Sequence, residues 1–408
     1  LHHKRESEII IKVKTERGSN YRWVMLGLIW ILYASFGLIS RSLAPLITPI
    51  IEDLQMTYSQ MGLVLGAWQL TYIFVAILAG TALDKWGARK ALFIGAILIS
   101  FSAMLRYFPT QWTGLLIAVA VFGLGGPLIS IGSPKTISLW FDENERGIAV
   151  GIYTTASMLG GLVALSLTNS VVMPFVGGSW RFAFVFYGVI VMVAASIWWF
   201  LAKDRAEVKS RGDSSYWGQV LLGMIKLREI QLIILMGFLS FLVNHGLNNW
   251  LPNILEIKGF SPTLAGYASS LPTASGIISI LVMPRFISAA YRVAAVAALA
   301  LIAGLAILLT VLTEGLLFTV GLIMFGIAGL PLMTFLILIL MDNPVVGSKY
   351  MGMAGGIFFC FAEVGGFTGP LIIGTLVDLT GTFAAGAYFL TGALFIILLA
   401  ALRLNKLT

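Results

Sequence analysis

The chain has 408 residues, 59% of them hydrophobic and only 11% charged, with a mean hydropathy of +0.95. That balance excludes a water-soluble globular domain, because a fold of this size could not hide so much apolar surface; lipid must solvate most of it. The formal net charge of +8 suggests nucleic-acid binding at first sight, but the placement of the charges argues against it.

The polar opening stretch Leu1–Tyr21 reads as a soluble tail, not a cleaved leader. A membrane-spanning helix needs roughly 20 apolar residues. Candidate spans follow at 23–50, 60–80, 90–108, 113–134, 148–173, 181–201, 230–255, 262–284, 292–312, 315–341, 350–376 and 384–402. Very short loops make spans 1 and 2, and spans 7 and 8, tight helical hairpins. One long polar break, Lys203–Arg228, carries a charged, Gly- and Ser-bearing stretch from Lys209 to Ser215 and reads as a linker. The expected organisation is a cytoplasmic tail (1–22), a six-helix bundle (23–202), a linker (203–229), a second six-helix bundle (230–403) and a short cytoplasmic end (404–408). The fold class is an all-α membrane protein of twelve transmembrane helices in two pseudo-symmetric bundles.

Charge sets the orientation. With the N-terminus in the cytoplasm and the helices alternating, all of the 26 Lys and Arg except Arg41, Arg106, Arg181 and Lys258 fall on cytoplasmic segments. The opposite orientation breaks the positive-inside rule. The basic balance is therefore a topology signal, and no nucleic-acid partner is expected. A multi-pass protein of a bacterial or archaeal inner (plasma) membrane, with both termini cytoplasmic, is the predicted localisation.

The halves repeat. GIAVGIY at 147–153, followed by Gly160 and Gly161, matches GMAGGIF at 352–358, followed by Gly365 and Gly366, at an offset of 205. FGLGG at 122–126 matches FGIAG at 325–329. Met56 to Ser59 with Gly62 matches Phe260 to Thr263 with Gly266 at an offset of 204. Such registers predict a binding site between the halves, near the membrane midplane.

After span 2 the stretch 80–90 reads GTALDKWGARK, which fits G-x-x-x-D-[RK]-x-G-x-[RK]-[RK] in full. It resembles the signature between helices 2 and 3 of the major facilitator superfamily, and through the repeat the resemblance covers the whole chain. The resemblance implies alternating access, with Gly80, Asp84, Lys85, Gly87, Arg89 and Lys90 as a conformational latch that favours the outward-facing state. Asp84 would face the start of helix 11, near Tyr350, where free backbone N–H groups favour negative charge. Gly80 would permit close helix approach and Gly87 a tight turn. The matching place in the second half, PRFISAAYR at 284–292, lacks the Asp.

Ionisable groups in hydrocarbon are costly and mark function. Three are deep: Arg41 in span 1, Glu363 in span 11 and His245 in span 7. Arg41 lands on His245 at the offset of 204, so the two are expected to face each other across the cavity. The Arg41 guanidinium is a planar donor fork suited to a carboxylate. Helical spacing places Tyr33, Gly37, Pro45 and Thr48 near it, and Phe241, Asn248 and Asn249 near His245. Gln69, Tyr72, Tyr153, Thr154, Ser270 and Thr273 are further polar candidates. The expected substrate site is Arg41, His245, Tyr33, Tyr72, Asn248 and Tyr153. Glu363 or His245 is the expected coupling group, and Glu363 alternatively the counter-ion of Arg41.

No phosphate loop, metal-ligand cluster or catalytic triad is legible. Neither an enzyme nor a cofactor is expected, and a single cysteine, Cys360, excludes an intramolecular disulfide. Within the superfamily, SRSLAPL at 40–46 resembles the helix-1 arginine region of the cyanate and nitroimidazole porter branch, and WLPNI at 250–254 followed by GFS at 259–261 resembles its helix-7 exit. Oxalate/formate and monocarboxylate carriers tend to place a binding Arg within helix 8, where this chain has only Arg285 at the cytoplasmic end. The reading is a monomeric secondary transporter of a small anion, carboxylate or cyanate-like, that is proton-linked or exchanges anions. A carrier or efflux pump for a neutral or cationic compound, using Glu363, and a non-transporting sensor on the same fold are the alternatives.

Overall fold

The computed structural model describes residues 20–205 and 223–407. Most of the tail and of the linker, including the expected stretch Lys209–Ser215, lies outside them.

The described residues are almost wholly helical. Helix α1 (Tyr21–Arg41) continues through a 3-10 turn (Ala44–Leu46) into a last helical segment (Ile47–Leu54). There follow α2 (Tyr58–Trp86), α3 (Ala88–Leu105), α4 (Trp112–Trp140), α5 (Glu143–Leu167) and α6 (Trp180–Leu201). The second half comprises α7 (Arg228–Ile257), α8 (Pro262–Phe286), α9 (Arg292–Leu312), α10 (Gly315–Gly329 and, past a break, Pro331–Asp342), α11 (Gly347–Thr380) and α12 (Ala384–Leu404). Eleven of these helices are long and apolar enough to cross a membrane, and twelve are when the bent α2 is counted as one span. Every predicted span has its helix.

Local sequence explains the hairpins. Gln55 ends the first span at a left-handed φ of 49°. Thr57 then opens α2 with a reciprocal cap, its hydroxyl accepting from the Gln60 N–H while the Gln60 side chain accepts from the Thr57 N–H. Ser261 caps α8 by accepting from the Leu264 N–H, with Pro262 in the first turn. Gly87 joins α2 to α3 at φ 80°, a conformation that a side chain would strain.

Within each half, bare glycine backbone sets the helix spacing. A Cβ on Gly160 of α5 would lie 2.0 Å from the Ala34 carbonyl oxygen of α1, and one on Gly365 of α11 would lie 2.0 Å from that of Phe238 of α7. A Cβ on Gly123 of α4 would meet the Trp68 carbonyl of α2 at 2.3 Å, and one on Gly326 of α10 the Pro272 carbonyl of α8 at 2.2 Å. These pairs share the repeat offset to within one residue, so the sequence repeat is also a packing repeat. In lipid, where no hydrophobic force draws helices together, such close backbone approach is the main source of packing attraction.

The halves meet at the end away from the chain termini. There Asp378 of α11 accepts from the backbone N–H groups of Tyr58 (2.9 Å) and Ser59 (2.7 Å) and from the Ser59 hydroxyl. Thr48 bonds to Glu256 and to Asn253, and Asn169 donates to the Pro262 carbonyl at 3.2 Å. At the opposite, terminal end the glycines face open space: Gly80, Gly147, Gly151 and Gly356 have nothing within 4 Å of an added Cβ. The contacts between the halves described here thus close the far end.

Candidate functional site

Between the halves lies a cavity of about 200 Å³, lined from the first half by Phe36, Ser40, Arg41, Trp68, Ser157, Met158 and Gly161, and from the second by Asn244, His245, Asn248, Asn249, Thr273 and Leu330. Arg41 and His245 thus share one chamber, from equivalent positions of the two halves.

Arg41 is the last residue of the first α-helical segment, where helix polarity favours a cation. The turn at Ala44–Leu46 follows directly. That break changes which side chains accompany it. Thr48, expected a turn or two along the same face, sits instead at the closed end with Glu256 and Asn253. Gly161 of α5 makes room for the arginine stem, with an added Cβ 3.0 Å from the Arg41 Cγ. The Arg41 Nη1 is enclosed and has no hydrogen-bond partner among the described residues. A donor fork in low dielectric with an unused N–H is a strong site for an anion.

His245 stands against Phe241 (ring centroids 5.3 Å) and Trp68 (6.2 Å). Its Nδ1 lies 3.1 Å from the Nε2 of Gln69, across the boundary between the halves. Asn248 donates to the backbone and side-chain oxygens of Asn244, both at 2.9 Å, which leaves a small amide cluster on the cavity wall.

Tyr33, Tyr72 and Tyr153 do not line this cavity. They form an aromatic box on its first-half side: Tyr33 lies 5.4 Å from Tyr153 and stacks on Phe36 at 5.6 Å, and Trp68 meets Tyr72 edge-on at 6.0 Å. The Tyr72 hydroxyl is 2.8 Å from that of Ser130. Glu363 of α11 does not line the cavity either. It is 8% exposed, and its Oε2 is enclosed without a partner. Among the described residues Arg41 and Glu363 form no ion pair, which corrects the counter-ion alternative for Glu363: the Nη1 of the guanidinium and the Oε2 of the carboxylate are each enclosed without a partner. Thr154 bonds to its own helix, as does Ser270.

The loop motif stays within the first half in this conformation. Asp84 pairs with Lys135 of α4, and in this conformation with no described residue at the start of α11. Arg89 donates to the Trp199 carbonyl at 2.5 Å and lies 5.0 Å over the Trp199 ring. Its backbone N–H is capped by Asp204 at 2.9 Å. Gly80 faces open space; Lys85 lies in the last turn of α2 and Lys90 in the first turn of α3.

Sequence reasoning missed Asn244 and Ser157, which carry no charge and so stand out in an apolar span less than an ionisable group does. It also counted Arg106 among the outer loop charges. The chain in fact turns that side chain inward: Arg106 is 1% exposed, donates to the Ser42 hydroxyl at 3.2 Å and lies 5.1 Å over the Phe184 ring.

A family model described as Major Facilitator Superfamily matches residues 29–370. The chain belongs to that superfamily. Among curated relatives, a hexuronate transporter of Bacillus subtilis is 24% identical over 87% of this chain and 88% of its own length. A probable sulfoacetate transporter of Cupriavidus necator is 27% identical over 95% and 94%. A probable galactarate/D-glucarate transporter of Escherichia coli is 23% identical over 92% of each. Among solved structures, a mutant form of the nucleoside transporter NupG superposes with a TM-score of 0.77 at 14% identity, over 94% of this chain and 100% of that one. A bacterial homologue of the human lysosomal transporter Spinster, described as inward-facing and occupied, gives 0.73 at 15% identity, over 95% and 96%. At those identities the superfamily fold is what the structures share with this chain.

Proposed function

We propose that this protein is a secondary transporter of a small organic anion, a carboxylate such as a sugar acid or a short sulfonated acid, working by alternating access. The observation that carries this reading is the enclosed, unpartnered Nη1 of Arg41 in a chamber between the halves, with amide and hydroxyl groups around it for further oxygens. The names of the relatives, hexuronate, sulfoacetate and galactarate/D-glucarate transporters, support the anion class. None of these three is a cyanate porter, so a carboxylate is preferred to cyanate. With the basic segments in the cytoplasm, the terminal end is the inner one and the conformation is inward-facing.

Coupling is assigned to Glu363, a buried carboxylate of α11 whose Oε2 has no partner. Moving an anion inward against a negative-inside potential costs about 2.3 kcal/mol per charge per 100 mV. One proton carried on the carboxylate cancels that cost for a monoanion. The neutral or cationic alternative is less favoured, because the cavity wall presents the guanidinium and the carboxylate is not part of it.

The test is uptake of a hexuronate, D-glucarate and sulfoacetate by proteoliposomes. Arg41→Ala is expected to reduce uptake of the transported acid at least roughly tenfold, as loss of a charge-assisted pair requires. Arg41→Lys is expected to remain impaired, since an ammonium lacks the fork, while both variants keep their thermal stability. Near-normal uptake by folded Arg41→Ala protein rejects the proposal.

A further inference from the structure

We infer that Gln69 is a positioning residue: it holds His245 as a neutral imidazole with its proton on Nε2, so that the ring gives the cavity a second hydrogen-bond donor beside Arg41.

Gln69 of α2 is wholly buried. Its Nε2 lies 3.4 Å from the carbonyl oxygen of Gly366 in α11, and 3.1 Å from the Nδ1 of His245 in α7. A carbonyl oxygen can only accept, so the group facing Gly366 must be the amide NH₂. The same NH₂ faces the imidazole, and Nδ1 must therefore accept. A ring nitrogen that accepts carries no proton, which places the proton of the neutral ring on Nε2.

The reversed amide is the worse arrangement. It would set the Gln69 oxygen against the Gly366 oxygen, two acceptors face to face, and would leave two N–H donors without an acceptor. The present orientation leaves one enclosed acceptor, the Gln69 Oε1, unpartnered. The orientation thus follows from the hydrogen-bond network.

Nε2 of His245 has no partner among the described residues, and it is not one of the enclosed orphan atoms. It opens on the cavity that the residue lines. The remaining neighbours of the ring are Trp68 and Phe241 and the Gly366 backbone, where a Cβ would lie 3.3 Å from the ring. Arg41 lines the same cavity as the ring. A second cation beside Arg41 would be repelled by it, whereas a neutral Nε2–H still binds an anion's oxygen. Gly366 has no side chain to part the amide from the imidazole, which is the steric condition for the bridge.

Two consequences follow, and they rest on the anion site proposed above. His245 is a substrate-facing donor and not the proton carrier, which leaves that role to Glu363. The bridge also joins α2, α7 and α11, so the donor is set only while the far end is closed.

The test reads the ring directly. With His2 and His3 replaced by Gln, His245 is the sole histidine, and ¹⁵N NMR of the labelled protein in nanodiscs at neutral pH distinguishes the two nitrogens. The expected result is a protonated Nε2 and an unprotonated Nδ1. A protonated Nδ1 overturns the proposal, whatever the substrate proves to be. Gln69→Met keeps the length and removes the donors. It is expected to mix the tautomers and to raise KM for the transported acid roughly tenfold, with a smaller change in kcat. In a His245→Phe background the same substitution should add no further rise. A full additional rise in that background would mean that Gln69 acts on packing alone, and would also overturn the proposal. If transport of acids fails in every form while the tautomer stands, the anion reading falls and the positioning of the ring survives.

Discussion

Gly62 and Gly266 occupy the same place in the two halves, and each lays bare backbone against a carbonyl of the opposite half. A Cβ on Gly62 would lie 2.5 Å from the Pro370 oxygen, and one on Gly266 would lie 2.4 Å from the Leu165 oxygen. The acceptors are themselves repeat partners, 205 residues apart. The closed end is therefore one contact built twice, α2 on α11 and α8 on α5. Overpacking a tight contact costs on the order of 1–3 kcal/mol, enough to move a two-state equilibrium roughly tenfold. Gly62→Val and Gly266→Val are each expected to shift the protein towards the state open at the far end, and together more strongly. Spin-label distances across the far mouth should lengthen; an unchanged distribution in the double variant rejects this reading of the gate.

Asp378 closes the same end by charge. It receives two backbone N–H groups in the first turn of α2, where the helix presents its positive pole. Asp378→Asn keeps the shape and removes the charge. The contact is exposed to water, so the expected loss is modest, about 1 kcal/mol or less. Faster labelling of single cysteines at the far mouth, with Cys360 replaced, is the expected readout. A rate equal to that of the parent would show that the charge contributes nothing to closure.

Asp84 is engaged with Lys135 in the present conformation and is proposed to transfer to the start of α11 when the terminal end closes. Asp84→Asn should then enrich the conformation described here while leaving substrate affinity near that of the parent. Labels across the terminal mouth would report this as a larger long-distance fraction. No change there would remove Asp84 from the latch.

Glu363→Gln separates transport from coupling. The variant keeps the size of the side chain but holds no exchangeable charge. It is expected to lose uptake driven by a pH gradient and to retain counterflow of labelled against unlabelled acid. Full gradient-driven uptake by this variant would mean that the proton travels elsewhere, or that the protein is an exchanger.

Much of this architecture was legible in the sequence. Hydrophobic runs of membrane length can only be helices, because lipid offers no partner for an open backbone. The internal repeat matched Gly62 with Gly266 and Arg41 with His245 from the sequence alone. The scarcity of deep ionisable groups singled out Arg41, His245 and Glu363, because each must have a reason to be there.

What the sequence could not supply were the neighbours. Helical spacing put Pro45 and Thr48 near Arg41, but the folded chain ends the helix at Arg41 itself and takes Thr48 away to Glu256. Tyr33, Tyr72 and Tyr153 were expected in the substrate site, and none of them lines the cavity that holds Arg41. Gln69 and His245 lie 176 residues apart in the chain and 3.1 Å apart in space. Hydropathy and charge act along a single helix and determine how many helices form and which way they run. The partner of a buried side chain depends on the register and rotation of one helix against another. Backbone contacts such as Gly62 on Pro370 set that register, and it takes form only when the two halves pack.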